Sequence, residues 1–504
     1  MTHQSFMEGR TPYEIEVDYA VVGSGAGGSA AAIELARGGA KVAIIEAGPW
    51  RDPKDYPYSA YGGLRDTMDD WGSLVTMGRA FWPVIQAKLV GGTTVVNSAI
   101  AVRTPGDVFR RWESRYGLRH DPKMEEAVWA AQDRIERELF VSKASDAALG
   151  GSNRLALLGD ARANMGGDRM DRYVRDCAGT GQCLQGCRAN RKQSTNMNYI
   201  PEVIRLGGFV LSCAPAEKIV VKRGLAQAVV GRFVHPVTQK KGAPYRVSVK
   251  KEVFLAASVT KTPLLLRASG IKPRALGSRF MAHPGTGIFG FYEDIVDTNI
   301  GATQGWASVK HRLSHGIKLE TLSIPLELAA SRFSGGGRNL MERLREYRHC
   351  AMWIQACWAE AQGSIGVGPG GKPAVRYTVT RGDLERFRIG MRLVAEMHFA
   401  AGAKSIYTGI HGFPWQIGPD EIHLLDEAPL DPRAYIAVMS HLFGGAVMGD
   451  EPKHSVCDGK GRVHQVPNIV VADAAVMPSN IGVNPQHTIM GLATYFAQEA
   501  LARA

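Results

Sequence analysis

A glycine-rich turn between two apolar strands most constrains how this chain of 504 residues can fold. Residues 18–22 are predicted to form a buried strand, and the turn Gly23–Gly28 follows directly. A helix rich in alanine and glycine then runs to about Gly38, and a second buried strand covers residues 41–46. This order of elements predicts a βαβ unit of the doubly wound α/β type.

The turn matches the pattern G-x-G-x-x-G, which binds dinucleotides. Gly23 permits the tight turn, Gly25 lets backbone approach a pyrophosphate, and Gly28 lets the helix pack closely. An acidic residue at the end of the second strand can accept hydrogen bonds from ribose hydroxyls. The alternative is a tight turn without a ligand. The predicted cofactor contacts in this unit are Gly23, Ser24, Gly25, Gly28, Glu46 and Ala47.

Composition and charge exclude several other classes of protein. Hydrophobic residues make up 45% and charged residues 21%, which are ordinary globular values. The net charge is +12, but the basic residues are dispersed apart from a local cluster at 332–348, so we expect no nucleic-acid binding. We see no apolar run of the roughly 20 residues that a membrane span requires. The N-terminus lacks a signal-peptide pattern, so we expect a cytoplasmic protein, or a periplasmic one only if a partner exports it.

Four more segments carry motifs. They are Val90–Asn97, which contains Gly-Gly-Thr-Thr; Ser258–Gly270; His441–Gly449; and Val471–Pro478. Together with the N-terminal turn, they resemble the glucose-methanol-choline (GMC) oxidoreductases, a family of FAD-dependent alcohol oxidases and dehydrogenases. The segment Ser258–Gly270 departs from the family pattern at its start, where Ser258 and Val259 replace a glycine and a small residue.

The resemblance implies an α/β fold that is α+β overall. A Rossmann-like FAD-binding domain would be discontinuous, with a substrate domain built on an antiparallel sheet inserted into it. The FAD-binding domain is predicted to comprise residues 1–50, 85–110, 205–282 and 465–504. The substrate-binding or cap region is predicted to comprise residues 51–84, 111–204 and 283–464, with a cysteine-rich loop at 176–192.

The resemblance also assigns cofactor contacts outside the first unit. In some relatives a histidine just before the motif asparagine bonds covalently to the flavin. Val96 occupies that position here, so we predict non-covalent FAD. The further predicted contacts are Gly91, Gly92, Thr93, Asn97, Ala216, Asp473, Ala474, Asn484 and Pro485.

His441 is the predicted general base. Removing the hydroxyl proton assists hydride loss from an alcohol carbon, and imidazole suits that role near neutral pH. Asn484 matches a family position that holds histidine or asparagine and is expected to orient the substrate oxygen. His487 is a second base, a substrate contact or a buried donor. The alternative for His441 is a structural histidine.

Three cysteines lie within eleven residues: Cys177, Cys183 and Cys187. Thiolates at such spacing in a glycine-rich loop can bind an iron–sulfur cluster, with Cys213 as a weaker fourth candidate. Some GMC dehydrogenases hold a cluster in a similar position. The alternative is that these thiols are buried or idle in redox chemistry.

These features predict FAD-dependent oxidation of an alcohol to a carbonyl by hydride transfer to flavin N5. A dehydrogenase is favoured over an oxidase, with a possible electron-acceptor protein or small partner subunit. A hydrophobic, ring-bearing or sugar-like alcohol is favoured by aromatic residues expected to line the pocket: Phe289, Phe291, Trp306, Trp353, Trp358, Phe413 and Trp415. The alternatives are a flavin-dependent desaturation, lyase or isomerase reaction, or a non-catalytic flavin electron-relay subunit.

Overall fold

The computed structural model describes residues 2–119 and 121–503. The strands are β1 His3–Gln4, β2 Tyr13–Val22, β3 Val42–Ile45, β4 Val141–Lys143, β5 Asp168–Arg169, β6 Asp171–Tyr173, β7 Phe209–Leu211, β8 Ala216–Lys222, β9 Leu225–Val234, β10 Lys241–Leu255, β11 Ser278–Phe291, β12 Trp306–Ser308, β13 Ile317–Thr321, β14 Cys350–Cys357, β15 Gly363–Val367, β16 Pro373–Arg376, β17 Ser405–Tyr407, β18 Val438–Phe443, β19 Arg462–Val463 and β20 Val466–Val471.

The helices are α1 Ala26–Arg37, α2 Ala60–Thr67, α3 Gly106–Tyr116, α4 Pro122–Glu138, α5 Asp146–Leu149, α6 Gly151–Ala163, α7 Tyr199–Arg205, α8 Thr262–Ala268, α9 Arg312–His315, α10 Leu326–Ala330, α11 Gly337–Arg345, α12 Arg381–Ala400 and α13 Gln486–Ala502. No helix within residues 2–119 and 121–503 is long and apolar enough to cross a membrane.

The first large sheet contains the predicted βαβ unit. Its strands follow the order β1-β7-β3-β2-β10-β20-β19, and β8 and β9 extend it from β10. The pairs from β1 to β20 along this order are parallel. The ends of β2 and β3 are apolar and buried, as expected for parallel strands covered on both faces. The predicted Rossmann-like layer is therefore present.

Helix α1 lies unusually close to the loops of this sheet. A Cβ added at Gly27 would sit 1.8 Å from the carbonyl oxygen of Ala472, and one at Gly28 would sit 2.0 Å from the carbonyl oxygen of Gly23. Larger residues would therefore push the helix off the sheet. Since Ala472 follows β20, the N-terminal unit and the C-terminal segment pack against each other. The residue limits of the two predicted domains remain a prediction.

The second large sheet is antiparallel and follows the order β16-β15-β11-β14-β13-β12-β5. Strand β11 is its longest member and also pairs with β17 and β18. Helix α12 covers one face, beginning at a capping box formed by Thr380 and Asp383. On that face the rings of Trp353 and His398 stack at 3.7 Å. The predicted fold class, with an antiparallel sheet beside the Rossmann-like layer, is confirmed.

Candidate active site

A cavity of about 1460 Å³ is lined by residues of both large sheets. One wall consists of loops that follow the parallel strands β2, β3, β10 and β20. The opposite wall consists of side chains from β11, β13, β14 and β18. Ligands of doubly wound sheets bind beyond the carboxyl ends of the strands, which is where the first wall lies.

The glycine turn forms bare backbone at the first wall. A Cβ added at Gly25 would meet no atom within 4 Å, so this position faces open space in the cavity. Gly92 approaches from the second motif, and its added Cβ would lie 2.8 Å from the Cα of Gly25. Helix α1 begins at Ala26 directly after Gly25 and has no side-chain cap, so its first amide groups are available to an anion at this end. The wall therefore fits a pyrophosphate.

Glu46 lies beside this turn and is buried. Its Oε2 accepts hydrogen bonds from the backbone N–H of Ser24 at 3.0 Å and from the Ser24 hydroxyl at 2.7 Å. Its Oε1 accepts one from the N–H of Gly48 at 2.8 Å. Burial raises the pKa of the Glu46 carboxyl. Each carboxylate oxygen keeps acceptor capacity, which a ribose hydroxyl could use.

Asp473 joins two motifs that are distant in sequence. One oxygen accepts from the N–H of Ser258 at 2.8 Å and from the hydroxyl of Thr262 at 2.6 Å, and the other accepts from the N–H of Ala475 at 2.7 Å. Burial raises the pKa of Asp473 to about 6. Asp473 thereby fixes the loop after β10 against the loop after β20, and both loops line the cavity.

Most of the predicted cofactor contacts line this one cavity. They are Gly23, Ser24, Gly25, Glu46, Ala47, Gly92, Thr93, Asn97, Ala216, Asp473, Ala474, Asn484 and Pro485. Gly28 and Gly91 lie behind the wall instead. Gly91 has a left-handed φ of 94° and its N–H donates to the hydroxyl of Ser24 at 3.0 Å. Val96, at the position of the covalent histidine in some relatives, lines the cavity and carries no nucleophile.

His441 and Asn484 meet at the boundary of the two walls. The Nε2 atom of His441, on β18, lies 3.4 Å from the amide nitrogen of Asn484. Its Nδ1 atom lies 3.4 Å from Nδ1 of His283, on β11. Burial lowers the pKa of His441 to about 4, so the ring is neutral at neutral pH. His441 and Asn484 both line the cavity, as predicted.

A buried charged pair behind Asn484 was missed from the sequence. Lys318 and Glu320 on β13 pair at 2.5 Å, with only 3% and 2% of their side chains exposed. Lys318 also donates to the amide oxygen of Asn484. Glu320 lines the cavity. Burial by itself would raise its pKa, but the interactions with Lys318, His441 and Asn484 together outweigh burial and lower it. The only signal in the sequence was a charged pair two residues apart, on one face of an otherwise apolar strand.

His487 lies outside the cavity lining. Its Nδ1 is 2.6 Å from the hydroxyl of Tyr173, and its Nε2 is 3.1 Å from a carboxylate oxygen of Glu136. The His487 hydrogen bond lowers the pKa of Glu136 to about 2. Of the three roles considered for His487, this geometry supports the buried hydrogen-bonding residue.

The expected iron–sulfur ligands do not converge. Within residues 2–119 and 121–503, which include every cysteine, no group of three or more His, Cys, Asp or Glu residues is arranged to hold a metal ion. Arg172, fully buried, instead donates to the sulfur of Cys177 at 3.5 Å and to that of Cys183 at 3.2 Å. The cluster predicted from Cys177, Cys183, Cys187 and Cys213 is therefore not supported.

The wall opposite the glycine turn is aliphatic. The aromatic residues expected to line it are absent from the lining, and Trp353 stacks on the far face of the sheet. The apolar lining instead includes Leu322, Ile324, Leu328, Met352 and Ile354. The expectation of a hydrophobic pocket keeps its support, but the residues named for it were wrong.

The comparisons with known proteins agree with this arrangement. Models of the GMC oxidoreductase family match residues 19–285 and 363–493, which is more than half of the chain. The chain belongs to the GMC oxidoreductase family. An uncharacterized GMC-type oxidoreductase of Mycobacterium tuberculosis is 31% identical over 501 residues, covering 98% of this chain and 77% of that protein.

Two further GMC proteins show how the family varies. A long-chain-alcohol oxidase of Arabidopsis thaliana is 25% identical over 519 residues, covering 97% of this chain and 68% of that enzyme. The structure of a formate oxidase from Aspergillus oryzae superposes with a TM-score of 0.74 at 15% identity, covering 98% of this chain and 99% of that one. The latter supports the GMC fold. Both proteins are named as oxidases, so the preference for a dehydrogenase has no support from these relatives.

Proposed function

We propose that this GMC oxidoreductase oxidises an alcohol to a carbonyl compound with non-covalently bound FAD. The observation that carries the proposal is the position of His441 and Asn484. The Nε2 atom of His441 lies 3.4 Å from the amide nitrogen of Asn484, and both residues line the same cavity as the glycine turn. When bound, FAD accepts the hydride from the carbinol carbon. Gly25, Gly92 and Glu46 would hold it, and Val96 offers no atom for a covalent bond.

His441 would take the hydroxyl proton at Nε2. A general base must be unprotonated and must reach the proton it removes. Burial lowers the pKa of His441 to about 4, which keeps the ring neutral at neutral pH. Its Nε2 atom is directed toward Asn484 and the cavity.

Asn484 would hold the substrate oxygen beside His441. An amide can turn either its oxygen or its nitrogen toward a ligand. Lys318 donates to the amide oxygen of Asn484, so the amide N–H groups remain for the cavity. Because an N–H donor stabilises negative charge on oxygen, this orientation favours the alkoxide-like state that releases a hydride.

A second role for His441 is favoured by one backbone contact. The N–H of Gly482 donates to Nε2 of His283 at 2.9 Å, so neutral His283 carries its proton on Nδ1, facing Nδ1 of His441. In that arrangement His441 carries its own proton on Nε2 and donates to the substrate oxygen together with Asn484. The two roles differ in which nitrogen of His441 is bare when substrate binds.

The substrate proposed is a hydrophobic alcohol. Support comes from the aliphatic lining at Leu322, Ile324, Met352 and Ile354, and from the resemblance to a long-chain-alcohol oxidase. Molecular oxygen or an acceptor protein would remove the electrons from the reduced cofactor.

The test uses the purified protein loaded with FAD. Absorption bands near about 370 and about 450 nm are expected, and the band at about 450 nm should bleach when a long-chain primary alcohol is added without oxygen. Denaturation should release the flavin into the supernatant, whereas covalent flavin would stay with the protein. A protein that binds FAD but is never bleached by any alcohol would contradict the proposal.

A further inference from the structure

One arginine on the cavity wall, Arg332, has no partner for its side chain among the residues that the structure describes. Arg332 follows helix α10 and lines the cavity together with Leu328 of that helix. Among residues 2–119 and 121–503, its guanidinium makes no hydrogen bond and no ion pair with any side chain or carbonyl group. Two other arginines of the basic segment differ: Arg343 donates to Ser334, and Arg348 pairs with Asp297 at 2.8 Å.

The backbone of Arg332 is fixed. The hydroxyl of Tyr407 donates to the carbonyl oxygen of Arg332 at 2.8 Å. The next residue, Phe333, is buried against the rings of Phe289 and Trp415. These contacts fix the backbone from which the Arg332 side chain extends at the cavity wall.

Leaving this charge unpaired is unfavourable. Arg332 is half-buried, and burial lowers the pKa of its guanidinium. A buried charge is normally paired or hydrogen-bonded, because desolvation without a partner is unfavourable. Tyr407, the titratable group that acts on Arg332, is a phenol rather than a carboxylic acid. An anion from outside the protein would supply the missing charge.

Three acidic residues of the cavity lining are already engaged. Glu320 pairs with Lys318 at 2.5 Å, and Asp69 pairs with Lys261 at 3.0 Å. Asp473 accepts hydrogen bonds from Ser258 and Thr262 in the segment after β10. The charge of Arg332 is therefore available to a ligand.

Along the chain, apolar residues of the cavity lining separate Arg332 from the proposed reaction site. Glu320, beside Lys318 and Asn484, is followed by the lining residues Leu322 and Ile324, and then by Leu328 of α10. An extended stretch of a few residues followed by one short helix separates the two ends by roughly 10–20 Å. A ligand reaching from Asn484 to Arg332 must have a long apolar middle.

We propose that the natural substrate is an alcohol whose far end, beyond an apolar chain, carries an anionic group that Arg332 binds. A carboxylate, sulfate or phosphate group would serve, since each accepts hydrogen bonds from a guanidinium fork. The inference rests on the proposed alcohol oxidation. The carbinol loses a hydride and a proton and becomes a carbonyl group, while the anionic group stays unchanged.

The experiment compares ω-hydroxy fatty acids of roughly 8 to 16 carbons, a length matched to the path, with their methyl esters. The FAD-loaded protein should prefer the acid over its ester by about 10- to 100-fold in kcat/KM, the range of a charged hydrogen bond. Arg332→Met should abolish that preference, mainly through KM, and Arg332→Lys should retain part of it. Arg338→Met, which removes an exposed arginine of the same segment, is the matched control and should retain the preference.

Binding provides a readout that does not depend on turnover. A fatty acid without the hydroxyl group should bind the FAD-loaded protein in calorimetry, and Arg332→Met should weaken that binding by about 10- to 100-fold. If this binding is found but neither acid nor ester is oxidised, the anion site is supported and the proposed oxidation is overturned. Equal use of acid and ester by the unmodified protein, or an unchanged ratio in Arg332→Met, overturns the anion site.

Discussion

One wall of the cavity is formed mainly by backbone and the other mainly by side chains. The cofactor wall, formed by the loops after β2, β3, β10 and β20, is mostly backbone. The glycine turn faces open space at Gly25, and a Cβ added at Gly92 would lie 2.8 Å from the Cα of Gly25. The substrate wall is mostly side chains, with a buried charged pair at Lys318 and Glu320 behind Asn484. A backbone site requires particular residue types at fixed spacing, whereas a side-chain site can be assembled from any strands that meet. Substitutions at the cofactor wall should therefore affect FAD binding, whereas substitutions at the substrate wall should affect turnover or stability.

The largest effect is expected at the substrate wall, at His441. His441→Ala should lower kcat/KM by about 10²- to 10⁴-fold, the range for loss of a general base. The flavin absorption and the melting temperature should stay near those of the unmodified protein, because the change is at the cavity surface. Steady-state kinetics with a long-chain alcohol measure the loss.

His441→Gln is the informative companion to the alanine variant. Glutamine keeps an N–H donor but cannot take a proton near neutral pH. If His441 is a base, both variants should lose activity to a similar extent. Activity in His441→Gln within about tenfold of the unmodified protein would assign the donor role instead.

Lys318→Met should lower the stability of the protein and not only its activity. Without Lys318, Glu320 is left as a buried, unpaired charge, which costs about 3–5 kcal/mol of unfolding free energy. Urea denaturation of the FAD-loaded protein measures the loss. The double variant Lys318→Met with Glu320→Gln should recover a large part of it.

An exposed pair gives the control for that prediction. Lys240 and Glu8 lie 2.6 Å apart at the surface, with 66% and 73% of their side chains exposed. Lys240→Met should leave the denaturation midpoint unchanged, because exposed ion pairs contribute little. A similar destabilisation by Lys240→Met and Lys318→Met would show that burial of the pair does not matter.

At the cofactor wall, Gly25→Ala should weaken FAD binding without lowering the stability of the protein. The added methyl group meets no protein atom within 4 Å, so the protein without FAD should keep its stability. The methyl group enters the space proposed for the pyrophosphate, so the affinity for FAD should fall by about 10- to 100-fold. Fluorescence titration with FAD measures it.

Gly27→Ala is the contrasting variant in the same turn. Its Cβ would lie 1.8 Å from the carbonyl oxygen of Ala472, so the helix must move and the protein itself should be destabilised. If Gly25→Ala bound FAD normally, the pyrophosphate position proposed here would be wrong.

The smallest effect is expected from pH near neutrality. Since the pKa of His441 is lowered to about 4, the ring stays neutral as the pH falls from 7 toward about 5. The value of kcat/KM should be nearly constant over that range and should fall about tenfold per pH unit below about 4. Initial rates over short times give the profile, and a fall centred near 6.5 would show that burial does not lower the pKa in the working enzyme.

The cofactor wall could be predicted from the sequence because its demands are local. Gly23 has a φ of 96° and lies against the carbonyl of Ala256, so few residue types other than glycine fit there. His441 and Asn484 were found through motifs with fixed spacing. The same reasoning placed Gly28 and Gly91 at the ligand, although both lie behind the wall.

Other features could not be settled from the sequence because they depend on which way a side chain points. On helix α13, Gln486 lines the cavity, whereas the next residue, His487, is turned by about 100° toward Glu136. Trp353 lies on a strand whose alternate side chains face opposite ways, and it faces α12 rather than the cavity. The sequence carried no signal for either direction.

The sequence by itself determined the Rossmann-like unit, the family and the cofactor wall, because close approach of backbone to a cofactor restricts residue type position by position. Only the tertiary structure brought Lys318 and Glu320 behind Asn484, placed His283 against His441, and left Arg332 unpaired on the cavity wall. These groups come from separate elements, and the free energy of a buried charge depends on what the fold places around it.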